Sequence, residues 1–110
     1  MVRGIVRVSI EGKRRPAVIL NVEADFVRVA YGTSIFREWR CVIVNPDTRQ
    51  GRAFEIPETT YFYGANTSFE LSRDLEFLGT VCSKELLFNI RSVVEEHDAA
   101  VEERRRNEGL

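Results

Sequence analysis

The sequence predicts a mainly β domain closed by one C-terminal helix, a β-rich α+β chain whose strands form a small barrel or open sandwich. Three observations carry this. Short β-branched segments recur along the chain between Gly, Pro, Asn and Asp turn formers. Only the stretch after Ser83 places apolar residues at helical spacing, with Leu86, Leu87, Ile90, Val93, Val94, His97 and Val101 on one face. At 110 residues, with 44% apolar residues and no linker or repeat, the chain is one domain, strands over about 2–81 and helix over about 83–105.

Val2, Ile5, Val6, Val8 and Ile10 alternate with near period two, putting Arg3 and Arg7 on the outer face of a first strand. Glu11-Gly12-Lys13 is a short turn. Pro16 to Asn21 and Asp25 to Tyr31 read as the next strands, joined by a tight acidic turn at Val22 to Ala24, and Pro16 suits the first residue of its strand. Trp39 to Val44 reads as a fourth strand, stopped by Asn45-Pro46-Asp47, with Gly51 to Ile56 returning antiparallel. Pro57 to Asn66 is the loosest part. Thr67 to Leu71 and Leu75 to Val81 complete the strands, and Ser83 starts the helix, whose apolar face thins beyond residue 97, where fraying is expected. Trp39 is assigned to the core or to a dimer interface.

Composition narrows function. No apolar run approaches the ~20 residues of a membrane span and no signal peptide opens the chain, so a cytoplasmic protein without a membrane partner is expected. Cys41 and Cys82 lack metal-ligand spacing and read as buried reduced thiols. There is no paired histidine, C-x-x-C, dense acid cluster or Gly-rich phosphate loop, so neither metal nor cofactor is expected. Net charge is −1, yet Arg3, Arg7, Lys13, Arg14 and Arg15 face only Glu11 within the first 15 residues. A basic rim on a near-neutral protein fits a small anion site better than a long nucleic-acid groove.

Lys13-Arg14-Arg15-Pro16 runs into Ala17-Val18-Ile19-Leu20, so the cations stand at a rigid rim. Val27 to Tyr31 runs into Gly32-Thr33-Ser34, where glycine admits close approach and two hydroxyls can donate to an anion such as a phosphodiester. Tyr61, Phe62 and Tyr63 are candidates for stacking on unpaired bases, although consecutive aromatics cannot all face one way, so at least one belongs to the core or to an interface.

These segments, "GKRRPAVIL" (Gly12 to Leu20) and "VRVAYGTS" (Val27 to Ser34), resemble the signature of the MazF/PemK toxin family, the ribosome-independent mRNA endoribonucleases of toxin–antitoxin pairs. "GANTSFELS" (Gly64 to Ser72), "FLGTV" (Phe77 to Val81) and the helix from Ser83 resemble later family elements in the same order. The resemblance implies an SH3-like small barrel of MazF/CcdB type. It implies metal-independent cleavage of single-stranded RNA by the substrate's own 2′-hydroxyl, leaving a 2′,3′-cyclic phosphate. Arg15 matches the arginine of the family's R-P motif and would neutralise the phosphorane, and Thr33 matches the hydroxyl that orients it, with Ser34 beside it. Lys13, Arg14, Gly32 and Tyr61 would bind substrate. The family's late-strand acid falls near Glu70 and its arginine on Ser68, so Glu70 is the candidate base and Arg73 the candidate substitute. The turn at Glu11 to Lys13 is much shorter than in many members, which removes the acid a longer loop would supply. Implied partners are mRNA, a cognate antitoxin and a second copy in a homodimer. Two alternatives stand beside this: a gyrase-binding toxin of the CcdB kind, and a catalytically degenerate RNA- or protein-binding module.

Overall fold

The structure, a computed structural model, describes residues 2–70 and 75–109. In chain order it contains β1 (Gly4–Ile10), β2 (Lys13–Glu23), β3 (Phe26–Tyr31), β4 (Val42–Val44), α1 (Arg49–Phe54), β5 (Thr60–Phe62), β6 (Asn66–Glu70), β7 (Leu75–Val81) and α2 (Lys84–Glu108). β1, β2, β3, β6 and β7 form a five-stranded antiparallel sheet in the order β6-β3-β2-β1-β7, while β4 and β5 pair separately. The fold is therefore β-rich with a C-terminal helix. The sheet stays open among the described residues, with β6 and β7 at its edges, so no closed barrel forms.

Strand alternation gives the sheet two buried faces. Val6, Val8, Ala17, Ile19, Val27 and Val29 pack together on one side, with Ile10, Tyr31, Phe69 and Leu75 over them. Ile5, Val18, Leu20 and Ala30 face the other way and meet Val44, Phe54, Phe62, Leu87, Ile90 and Val94 from β4, α1, β5 and α2. Fully burying one such aliphatic or aromatic side chain is worth about 1.5–3 kcal/mol, so this second layer anchors the small sheet and both helices.

α2 begins as its sequence directs: Ser83 caps it by accepting from the Leu86 N–H at 3.1 Å, and Glu85 complements the dipole. It then runs to Glu108 without the expected fraying after residue 97. Asp98 is held there by Arg28 on β3 and by Asn66 on β6, so contacts outside the apolar stripe tie down the second half. Burial opposes ionisation of Asp98, but hydrogen bonds from Asn66, His97 and Arg28, with the charge of Arg28, outweigh it and hold the carboxyl below its ordinary value of 3.8. Gly64 marks where the chain crosses this helix: its φ is +102°, and a Cβ there would lie 2.3 Å from the Val93 carbonyl oxygen.

Other expectations are corrected. Gly51 to Ile56 is not a strand; it lies mainly in α1, capped by Thr48 Oγ1, which accepts from the Gly51 N–H at 3.0 Å. Gly51 is there because a Cβ would come within 1.9 Å of the Asn45 carbonyl oxygen. The fourth strand shrinks to Val42–Val44, and Trp39 is not core but 79% exposed. The segment read as loosest contains β5, whose Phe62 is fully buried, in keeping with one inward aromatic among the three. Pro16 lies inside β2, opposite Arg7, rather than at its start. Cys82 is buried, and burial pushes its thiol up; Cys41 is only partly buried, its Sγ 3.4 Å from the Glu38 carbonyl oxygen. No helix of the described residues is long and apolar enough to cross a membrane.

Candidate functional site

Pro16 creates the site by what it cannot do. The Gly32 N–H donates to the Pro16 carbonyl at 2.9 Å, but proline has no N–H to return the bond, so the β2–β3 ladder stops there. The chain then changes partner. Thr33 bridges to Tyr61 on β5 through reciprocal backbone bonds of 3.0 and 2.7 Å. Gly32 permits the crossing, since a Cβ would stand 2.4 Å from Thr60 Cγ2 and 3.3 Å from the Phe62 ring. The seam between the large and small sheets opens here as two adjoining clefts of about 220 and 210 Å³.

Arg15, Gly32 and Thr33 line both clefts. Tyr61 joins them in one, and Lys13, Arg14 and Ser34 in the other. The rim cations separate by strand alternation. Arg14 projects to the face where it pairs with Glu76, which Arg7 also approaches at 4.0 Å. Arg15 projects to the opposite face, beside Val8 and Ala17, where its Nε is buried with no hydrogen-bond partner among the described residues. No carboxylate among the described residues lies within 4.0 Å of Arg15 or Lys13. Thr33 Oγ1 accepts from the Ile35 N–H at 3.2 Å, leaving its own O–H to donate. A guanidinium fork with unused donors beside a hydroxyl donor forms an anion-binding pair.

No protein-family model matches the chain, and no curated protein is significantly similar to it. Its site is therefore read from chemistry alone.

Glu70 does not join the cleft. It pairs with Phe26 at the far end of β3, which the rise of a strand puts roughly 20 Å from Gly32. Antiparallel pairing of β6 with β3 carries it away as surely as it brings Ala65 toward the cleft. Arg73 lies outside the described residues. Glu11 lines the Tyr61 cleft, with Arg37, Tyr31 and Tyr63, and Glu58 lines the adjoining one; of these only Tyr63 was picked out by sequence reasoning, as a stacking candidate. Glu11 and Gly12 have φ of +50° and +80°, the signature of a two-residue hairpin turn in which both central positions are left-handed. That tight turn leaves Glu11 at the strand end, where it lines one cleft with Arg15. Its adjacency to Gly12 at the head of the R-P segment is the signal that could have found it. Arg37 could not be found this way: the Tyr63 hydroxyl, accepting from the Arg37 and Glu38 N–H groups, folds its loop against the cleft.

Proposed function

We propose that this chain is a MazF/PemK-like toxin: a metal-independent endoribonuclease that cleaves single-stranded RNA, built on an open variant of the SH3-like barrel. The observation that carries this reading is Arg15, partly buried, its Nε without an acceptor among the described residues, lining the same cleft as Thr33, whose O–H is left to donate. A buried donor left without a partner costs about 1–3 kcal/mol, a cost that a phosphodiester oxygen would remove.

In this mechanism the 2′-hydroxyl attacks the adjacent phosphorus in line. The 2′-oxygen–phosphorus bond forms as the phosphorus–5′-oxygen bond breaks, giving a cyclic phosphate and a 5′-hydroxyl. Glu11 takes the 2′ proton, and water at the cleft mouth supplies one to the departing 5′-oxygen. Arg15 and Thr33 bind the charge that builds on the phosphorane oxygens, an effect worth about 3–4 kcal/mol for one well-placed donor. Lys13 and Ser34 hold the neighbouring backbone in the second cleft. The reading brings an antitoxin and a second copy of the chain as partners. Exposed Phe77 and Val81 on the edge strand β7 support a protein partner there.

The test is incubation of the purified protein with a long single-stranded RNA in EDTA, with Arg15→Ala alongside. Discrete cuts bearing cyclic-phosphate ends, absent with the variant, are expected. Intact RNA at high protein concentration would reject the enzyme and leave a binding module.

A further inference from the structure

The loop between β3 and β4 carries a feature that cleavage alone does not require. Trp39, 79% exposed, sits 4.7 Å from Phe36, which meets Tyr61 edge-on at 5.5 Å, which in turn stacks on Tyr63 at 6.3 Å. A row of touching rings thus runs from solvent to the cleft that holds Arg15. Cations flank it: Arg37 lines the cleft with its guanidinium carbon 6.0 Å from the Tyr63 ring centre, and Arg40 follows Trp39 in sequence, itself exposed. The loop is pre-ordered. The Tyr63 hydroxyl accepts from the Arg37 N–H and from the Glu38 N–H at 3.4 Å, and lies 3.4 Å from the Ile35 carbonyl oxygen. Beyond it, the Cys41 N–H donates to the Trp39 carbonyl at 2.8 Å, closing the turn that presents the indole.

We propose that this row is a stacking platform for unpaired nucleobases, with Trp39 and Phe36 receiving a base next to the phosphate held at Arg15. The inference rests on the reading of the cleft as a phosphodiester site. Aromatic faces interleaved with arginines, continuous with an anion pocket, match single-stranded nucleic acid: bases stack on the rings while the cations follow the backbone. A loop ordered before binding loses little freedom when the base arrives. Trp39 and Phe36 would then set which nucleotides flank the cut, whereas Arg15 and Thr33 act on any phosphodiester.

Trp39 is the only tryptophan, so intrinsic fluorescence reports from the platform itself. The probe is a short single-stranded RNA with 2′-O-methyl riboses, which cannot be cleaved by its own 2′-oxygen, compared with an abasic oligonucleotide of equal charge. The base-bearing RNA should quench Trp39 and the abasic one should not. With a labelled RNA followed by anisotropy, Trp39→Ala should weaken binding roughly 5- to 150-fold, the range for one lost stacking contact, and Trp39→Phe should restore part of it. Equal quenching by the abasic chain, native affinity in Trp39→Ala, or absence of RNA binding would each overturn the platform. So would quenching by an acidic peptide but not by RNA, which would assign the ridge to a protein partner. Quenching by base-bearing RNA with no cleavage of unmodified RNA would keep the platform and reject the ribonuclease. Cleavage with an unmoved KM in Trp39→Ala would keep the ribonuclease and reject the platform.

Discussion

Arg15→Ala should separate function from stability. Among the described residues the buried Arg15 Nε has no acceptor, and no carboxylate stands within 4.0 Å of the side chain. Removing an unsatisfied buried donor recovers about 1–3 kcal/mol. The aliphatic stem, lying beside Val8 and Ala17, gives up a comparable amount at about 0.8 kcal/mol per buried methylene. The two terms offset each other, so stability should change by no more than about 1 kcal/mol, or about 4 °C in Tm for a domain of this size. Cleavage, by contrast, should fall 10²- to 10³-fold, about 3–4 kcal/mol of transition-state stabilisation. Arg15→Lys, which keeps the charge and loses the fork, should fall between. Thermal unfolding by circular dichroism and RNA cleavage in EDTA, run on the same preparations, read both quantities. A Tm loss beyond about 10 °C would make Arg15 a structural residue. Undiminished cleavage in Arg15→Ala would refute the phosphate-binding role itself.

Three further outcomes follow from the geometry. Glu11→Gln should lower the cleavage rate by about 10²-fold, while Glu70→Gln, at the far end of β3, should leave it at the native value; single-turnover kinetics decide between the two acids. Gly64→Ala should destabilise by about 2 kcal/mol or more, because φ is +102° and the new methyl would meet the Val93 carbonyl oxygen at 2.3 Å; urea unfolding measures it. Asp98, with its carboxyl held below the ordinary 3.8, contributes stability that is fully present above that value and lost as pH falls through its lower folded-state value. Its side chain is 46% exposed, so solvent screening limits the contribution to about 1 kcal/mol. Asp98→Asn should accordingly flatten the dependence of Tm on pH below about 4 without altering it near neutrality.

Much of the fold was legible because it follows from local chemistry. Period-two alternation marked β1, β-branched residues between turn formers marked β2 and β3, Asn45-Pro46-Asp47 stopped β4, and Ser83 with the apolar stripe from Leu86 to Val94 marked the start of α2. Gly51 misled because its reason is a neighbour: it lies against the Asn45-Pro46 turn, and Thr48 caps a helix where a return after that turn had suggested a strand. The core place offered for Trp39 misled because an apolar residue is usually buried, and here the loop hydrogen bonds to Tyr63 hold it outward.

The sequence by itself determined that Arg15, Gly32, Thr33 and Tyr61 were the residues to watch, since R-P before an apolar strand and G-T-S after another are local statements about rigidity, close approach and donors. Only the tertiary structure decided which acid accompanies them. Antiparallel register is a non-local quantity: it sent Glu70 to the opposite end of β3, while Glu11, in the two-residue turn, and Glu58 line the clefts that Arg15 shares. It also parted adjacent cations, because neighbouring residues on a strand face opposite ways. Arg14 was neutralised by Glu76 on one face, and Arg15 was left on the other with no partner for its Nε among the described residues.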